Sequence, residues 1–380
     1  MTTTPRNVWA IVLFLAAGHM IVDGACNFVV ARVAEGTVSQ VSYAAAVAVV
    51  GRYNLLAFAT QALLGLLLDW SKASAIGAAV GGAMAAAACV AYPAHPDAAI
   101  MAAGIGNSLF HVGAGGICIM LARGNAAMLG VLVGPGDLGV VAGTFMGRST
   151  LPVALPWAMV TWAASIPVLF MGRRPAGTTW PRPPLHWAAV AIALLCFSIA
   201  ARSLMGGALT GPFLYVPVVW IAIAVAATVA KCAGGFVADR LGWLAFAVPV
   251  AAVAVPVAYL FGAYPGGAVA GTLLVQAAMP VTLAAMARVF PNHPAFAFGL
   301  AASSLTLGTL PSALGVPVQS PQFMLAIQSA CVAALAIALM LVRPSSGWKP
   351  EPPTASLLPT PNSQLATTLP ALPGTSRSSC

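Results

Sequence analysis

Twelve apolar stretches, each about 20 residues long, follow one another along this chain with short connections. They run roughly over 8–32, 43–68, 74–93, 98–122, 126–147, 151–171, 187–211, 215–238, 243–262, 267–290, 295–317 and 322–342, and are numbered helix 1 to helix 12 in that order. A helix needs about 20 residues to cross a hydrocarbon core, and in lipid its backbone groups can satisfy one another. Charged residues make up only 6% of the 380, against about 25% in soluble domains. A water-soluble surface cannot be built from so few. The fold class is therefore an all-α polytopic membrane protein. The formal charge of +9 does not point to a nucleic-acid partner, because the basic residues sort by loop.

Basic residues mark the cytoplasmic side of membrane proteins. With the N-terminus inside, cytoplasmic ends hold Arg6, Lys72, Arg123, Arg173, Arg174, Arg182, Arg240, Arg288, Arg343 and Lys349. The outer loops hold only Arg32 and Arg148. This asymmetry supports an even number of crossings and places both termini in the cytoplasm. The first stretch contains Asp23 and lacks a small-x-small cleavage site after it, so it reads as a membrane helix and not as a signal peptide. The longest internal connection, GRRPAGTTWPRPPLH at 172–186, divides the chain six helices plus six. The expected domains are a bundle over 1–171, a cytoplasmic linker over 172–186, a second bundle over 187–343 and a Pro/Ser/Thr-rich tail over 344–380. The tail lacks a sustained apolar period and reads as disordered.

Six of the seven cysteines, Cys26, Cys89, Cys118, Cys196, Cys232 and Cys331, fall within apolar stretches, and Cys380 ends the tail. There is no CxxC pair, so neither a disulfide framework nor a zinc site is expected.

Ionisable groups at membrane depth cost roughly 2.5–3.5 kcal/mol on insertion scales and face a cavity or a partner. His19, Asp23 and Asn27 are spaced four apart on helix 1 and share one face. Asn107 and His111 repeat that spacing on helix 4. Arg52 on helix 2, Asp137 on helix 5 and Arg202 on helix 7 complete the candidate set. Asp23 is the leading proton carrier, with His19 and His111 to relay or tune the proton. Arg52 is expected as its counter-charge, or as an anchor for an anionic substrate. Asp137 either pairs with Arg202 or sits in a wet gap, and Arg202 either lines the cavity or snorkels outward. Lys231, near the end of helix 8, is expected to snorkel to the interface. A static buried network joining helices 1, 2 and 4 is the alternative. Phe110, Trp157, Trp220, Met279 and Met286 are read as packing residues that could also shape a pocket.

An internal repeat links the halves. GLLLDWSK, from Gly65 through Asp69 to Lys72, follows helix 2, and GFVADRLG, from Gly235 through Asp239 and Arg240 to Gly242, follows helix 8. Parallel six-helix repeats are the layout of major facilitator transporters. GFVADRLG resembles that family's loop G-x-x-x-D-R-x-G. In the first copy Trp70 stands in place of Arg, and Lys72 in place of Gly. GIGNSLFHVGAGG (104–116) and the HxxxD of helix 1 are similar to the fosmidomycin-resistance-like members. In GVLVGPGDLG, residues Gly130, Gly134, Pro135 and Gly139 match the family's antiporter pattern G-x-x-x-G-P-x-x-G-G, and Leu138 departs from it. The resemblance implies two six-helix bundles around a central cavity lined by helices 1 and 4. It also implies loops that switch between closed and open states through their Asp, and export. The Asp can pair with an Arg or cap a neighbouring helix N-terminus.

The reading is thus a proton-coupled secondary transporter of a small organic molecule, an exporter acting as a monomer in a bacterial inner membrane. Its partners are substrate, protons and lipid, with no cofactor and no metal. No Walker loop G-x-x-x-x-G-K-[ST] is present. Uptake of a small anion or metal-bound ligand is the second reading. An intramembrane enzyme using His19 and Asp23 is the remote one, since neither HExxH nor GxSG occurs.

Overall fold

The computed structural model describes residues 5–40, 42–149, 151–171, 185–313 and 321–343. The tail and most of the linker lie outside the described residues. Among the described residues all regular structure is helical. Among the described residues, ten helices are long and apolar enough to cross a membrane: Asn7–Thr37, Ala44–Ser71, Ser74–Ala91, Pro96–Ala122, Ala126–Arg148, Trp187–Phe213, Pro217–Leu241, Trp243–Phe261, Pro265–Val289 and Pro321–Leu341. Two shorter apolar helices, Ala154–Phe170 and Pro294–Leu310, occupy the places of helix 6 and helix 11. The chain is an integral membrane protein.

Helix 1 is longer than its apolar stretch, running Pro5–Gln40. Helix 2 carries a π turn at Leu55–Ala59. Helix 5 is broken into Ala126–Val133 and Gly136–Arg148, because Pro135 has no N–H to continue the ladder. Helix 10 divides into Pro265–Ala277 and Met279–Val289, with Pro280 at the start of its second piece.

Helices 1–6 pack among themselves, as do helices 7–12, and two seams join the sets. One seam sets helices 2 and 4 against helix 11; the other sets helix 5 against helices 8 and 10. Apolar attraction does not drive helices together in lipid, so close approach relies on small residues. Helix 5 uses them on two sides. A β-carbon on Gly139 or Gly143 would strike the main chain of Met20 or Gly24 on helix 1. One on Gly130 would strike the main chain of Lys231 on helix 8, and one on Gly134 would meet Cys232 Sγ at 2.7 Å. The glycines of the antiporter-like pattern therefore close both the helix 1 contact and the seam between halves. Gly139→Val should force helices 1 and 5 apart, costing about 1–3 kcal/mol by overpacking. A lower melting temperature of the purified protein checks this; an unchanged one would count against the close contact.

The two repeat loops do the same work at pseudo-equivalent places. Asp69 accepts hydrogen bonds from the N–H groups of Ala295 (3.2 Å) and Phe296 (2.8 Å), in the first turn of helix 11. Asp239 accepts from the N–H groups of Ala126 (3.1 Å) and Ala127 (2.9 Å), in the first turn of helix 5. Each carboxylate thus satisfies orphan donors at the positive end of a helix dipole in the other half. Gly65 and Gly235 let the backbones meet there: a β-carbon on either would fall within 3 Å of main-chain atoms of Ala295 or Ala127. Lys72 takes a left-handed conformation (φ 56°) at the position where Gly242 has φ 93°. Both turns thus use positive φ at this position, but with different ψ, 31° at Lys72 and 139° at Gly242. Arg240 ends helix 8 beside its Asp, while Trp70 is exposed.

Candidate functional site

The seam between helices 2 and 11 continues inward through Ser303, whose hydroxyl donates to Phe58 O at 2.9 Å. Beyond it, toward the end away from the repeat loops, Tyr53 and Thr309 line a central cavity of about 430 Å³ between the halves. Helices 5 and 8 stay in contact along that depth. Phe145 meets Trp220 at 5.2 Å, and the Arg148 guanidinium lies 4.9 Å from the Tyr215 ring centre.

His19, Asp23 and Asn27 all line this cavity, as does His111 from helix 4. The two stripes meet. Asn107 Nδ2 donates to Asp23 Oδ1 at 2.8 Å. Asp23 Oδ2 lies 3.1 Å from His19 Nε2, and Oδ1 lies 3.5 Å from His111 Nε2. The two Nε2 atoms are 2.6 Å apart, with the rings nearly perpendicular. Asn27 donates to Asp23 O at 2.9 Å, so its amide braces the main chain of the stripe.

The tautomers follow from the outer bonds. His19 Nδ1 lies 2.9 Å from Leu132 O, and His111 Nδ1 lies 2.8 Å from Asn107 O. A carbonyl can only accept, so both Nδ1 atoms carry hydrogen. Two neutral rings would then aim lone pairs at each other across 2.6 Å. One further proton between the Nε2 atoms turns that contact into a hydrogen bond, and Asp23 balances its charge. Leu132 is available because it sits in the last turn before the break in helix 5, where carbonyls lack helical partners. Gly136, just past the break, brings that helix against the cluster: a β-carbon there would lie 2.8 Å from His19 Cε1.

Two imidazoles and a carboxylate are also a donor set for a divalent metal, and the three ligand atoms lie within 4.8 Å of one another. Bonds of about 2.0–2.1 Å in a tetrahedral site hold neighbouring nitrogens roughly 3.3 Å apart. The 2.6 Å spacing of the imidazoles fits a shared proton, and a metal would have to spread them.

Three expectations are corrected. Arg52 is not the counter-charge of Asp23: its side chain is 55% exposed and pairs at 2.8 Å with Asp97, itself 77% exposed. The reason is depth, because Asp97 belongs to the first turn of helix 4, so Arg52 lies level with a helix end. Lys231 does not snorkel away. Its side chain is 8% exposed and its Nζ meets Asp137 Oδ2 at 2.6 Å, joining helix 8 to helix 5 at the cavity wall. Asp137 is thereby paired with Lys231 and not with Arg202. Arg202 is buried, donating from Nε to Ser198 O (3.3 Å) and from Nη2 to Thr282 Oγ1 (2.9 Å). Lys231 was legible in one respect: a lone amine inside an apolar stretch needs a partner. Among the aromatic and Met candidates, Trp220 and Met279 line the cavity. Phe110 and Met286 are buried, and Trp157 packs against Gly24.

Two helical halves around a polar, cavity-lined centre, sealed at one end by doubled helix-capping loops, define the major facilitator transporter fold. Solved structures agree. The chain superimposes on the E. coli fucose:proton symporter FucP with a TM-score of 0.61 at 11% identity, covering 88% of this chain and 99% of that one. A second structure of FucP, in the outward conformation, gives a TM-score of 0.57 at 12% identity, covering 88% of this chain and 100% of that one. The human organic anion transporter MFSD10 (TETRAN) gives 0.57 at 16% identity, covering 90% of this chain and 99% of that one. At these identities the likeness establishes the fold. No family model and no curated protein matches the sequence.

Proposed function

We propose that this protein is a proton-coupled secondary active transporter that moves a small organic molecule by alternating access. The observation that carries this reading is the His19–His111 contact of 2.6 Å beside Asp23, a proton-holding arrangement in the wall of the cavity between the halves. A fucose:proton symporter and an organic anion transporter share the fold, which supports transport as its use here. The bundles are assigned to 1–171 and 187–343, joined by the cytoplasmic linker 172–186, with the tail 344–380 on the same side. The basic-residue asymmetry then puts Asp69 and Asp239 at the cytoplasmic face of a bacterial inner membrane. The end of the cavity away from the repeat loops would then face outward.

Export by antiport is the preferred direction. Substrate and proton would meet in one cavity, and helix 5 carries the antiporter-like glycines. The fosmidomycin-resistance-like members remain the subfamily it resembles, and a single copy suffices to enclose the cavity. Reconstituted protein should be assayed on a panel of small organic compounds, with and without an imposed pH gradient. Accumulation that vanishes when the gradient is collapsed supports coupling. Equal movement of every transported compound with and without the gradient rejects it.

A further inference from the structure

Among the described residues, one buried cation, Arg202, has no counter-charge. Arg202 on helix 7 is 7% exposed. A guanidinium keeps its charge in proteins. Both of its hydrogen-bond acceptors, Ser198 O and Thr282 Oγ1, are neutral. Ser198, whose carbonyl accepts from Arg202, also meets the thiol of Cys331 at 3.3 Å. Each acidic residue among the described residues is engaged elsewhere. Asp23 serves the two histidines, Glu35 meets Arg148, Asp97 meets Arg52, and Asp137 meets Lys231. Asp69 and Asp239 cap helices. Glu351 lies outside the described residues.

Arg202 lines a recess of about 50 Å³. Ser203, Gln276, Met279 and Phe298 line both this recess and the central cavity, so the guanidinium stands at an alcove of the transport path. With the histidine pair holding one proton against Asp23, and Lys231 against Asp137, these groups leave a single positive charge, that of Arg202. A buried charge without a partner is strongly disfavoured. We propose that Arg202 anchors a small organic monoanion, its acid group on the guanidinium and its apolar body against Met279, Phe298 and Trp220. This names the substrate class for the transport reading. It rests on the cavity being the substrate path and not on the direction of transport.

The test is equilibrium binding at fixed pH with no gradient, so its outcome is independent of proton coupling. The full-length protein in a nonionic detergent is melted with millimolar benzoate, hexanoate or benzenesulfonate, and with the matched neutral amides. At least one acid should raise the melting temperature by several degrees, and its amide should not. Arg202→Met should lose that response and melt higher than wild type without ligand, because an uncompensated charge has been removed. Arg52→Met, at the exposed pair with Asp97, should respond like wild type. If Arg202→Met cannot be purified, Arg202→Lys decides: loss of the planar fork should weaken binding at least tenfold. No response to any acid, equal response to the amides, or a wild-type response in Arg202→Met would overturn the proposal. So would a lower ligand-free melting temperature in Arg202→Met, or unchanged affinity in Arg202→Lys. A parallel arm adds phosphatidylglycerol; stabilisation by that lipid alone would make the occupant a head group and overturn the solute assignment.

Discussion

Asp23→Asn should leave the reconstituted protein unable to accumulate substrate when a pH gradient is the only driving force, while substrate exchange without a gradient persists. The amide keeps the shape of the carboxylate and can still accept from Asn107 Nδ2, which lies 2.8 Å away in the wild type. It cannot supply the negative charge. The proton between His19 and His111 then sits buried with no counter-charge, and burying an unpaired charge is costly. Without that proton the two Nε2 lone pairs oppose each other, and the pair must separate. Either way the site no longer passes between two proton occupancies, so the proton gradient loses its grip on which end of the cavity opens. The expected loss is to the level of protein-free liposomes, with the amount of folded protein largely kept. Accumulation at the wild-type rate would make the Asp23 network structural. Asp137, paired with Lys231, would then be the next carboxylate to examine.

The second large effect is expected at the sealed end. The doubled substitution Asp69→Ala and Asp239→Ala removes both carboxylate caps between the halves. Losing one such cap costs roughly 1–2 kcal/mol, so the pair should shift the closed-to-open balance by about two orders of magnitude, at 1.4 kcal/mol per tenfold. Spin labels at Lys72 and Asn292, with native cysteines replaced, report the separation of helix 2 from the start of helix 11. The double variant should show a longer, broader distance distribution than wild type. The single variants should have comparable effects. The first loop departs from the pattern at Trp70 and Lys72, yet Asp69 is buried and caps two amides just as Asp239 does. An unchanged distribution in the double variant would show that the seams close without the caps.

Much of this was written along the chain. Apolar length and scarcity of charge dictate a helical membrane protein, because lipid offers the backbone no partners. The doubled Gly-x-x-x-Asp loops declare the repeat, and spacing by four puts His19 with Asp23 and Asn107 with His111 on single helix faces. That spacing is local physics, and it survives in the folded molecule. Depth and partnership are not local. Arg52 and Lys231 both lie inside apolar stretches, yet one reaches Asp97 at a helix end and the other is buried against Asp137. The difference depends on how each helix is rotated and shifted against its neighbours, and in lipid that is set by close packing of small residues and not by hydrophobicity. The break at Pro135 was legible; that it frees Leu132 O for His19 and brings Gly136 onto the cluster was not. Lys72 holds a left-handed turn that its residue type does not favour, three residues after Asp69, whose carboxylate caps a helix of the other half. The meeting of His19 with His111, and the isolation of Arg202 from every described acid, were decided only when twelve helices packed into one tertiary structure.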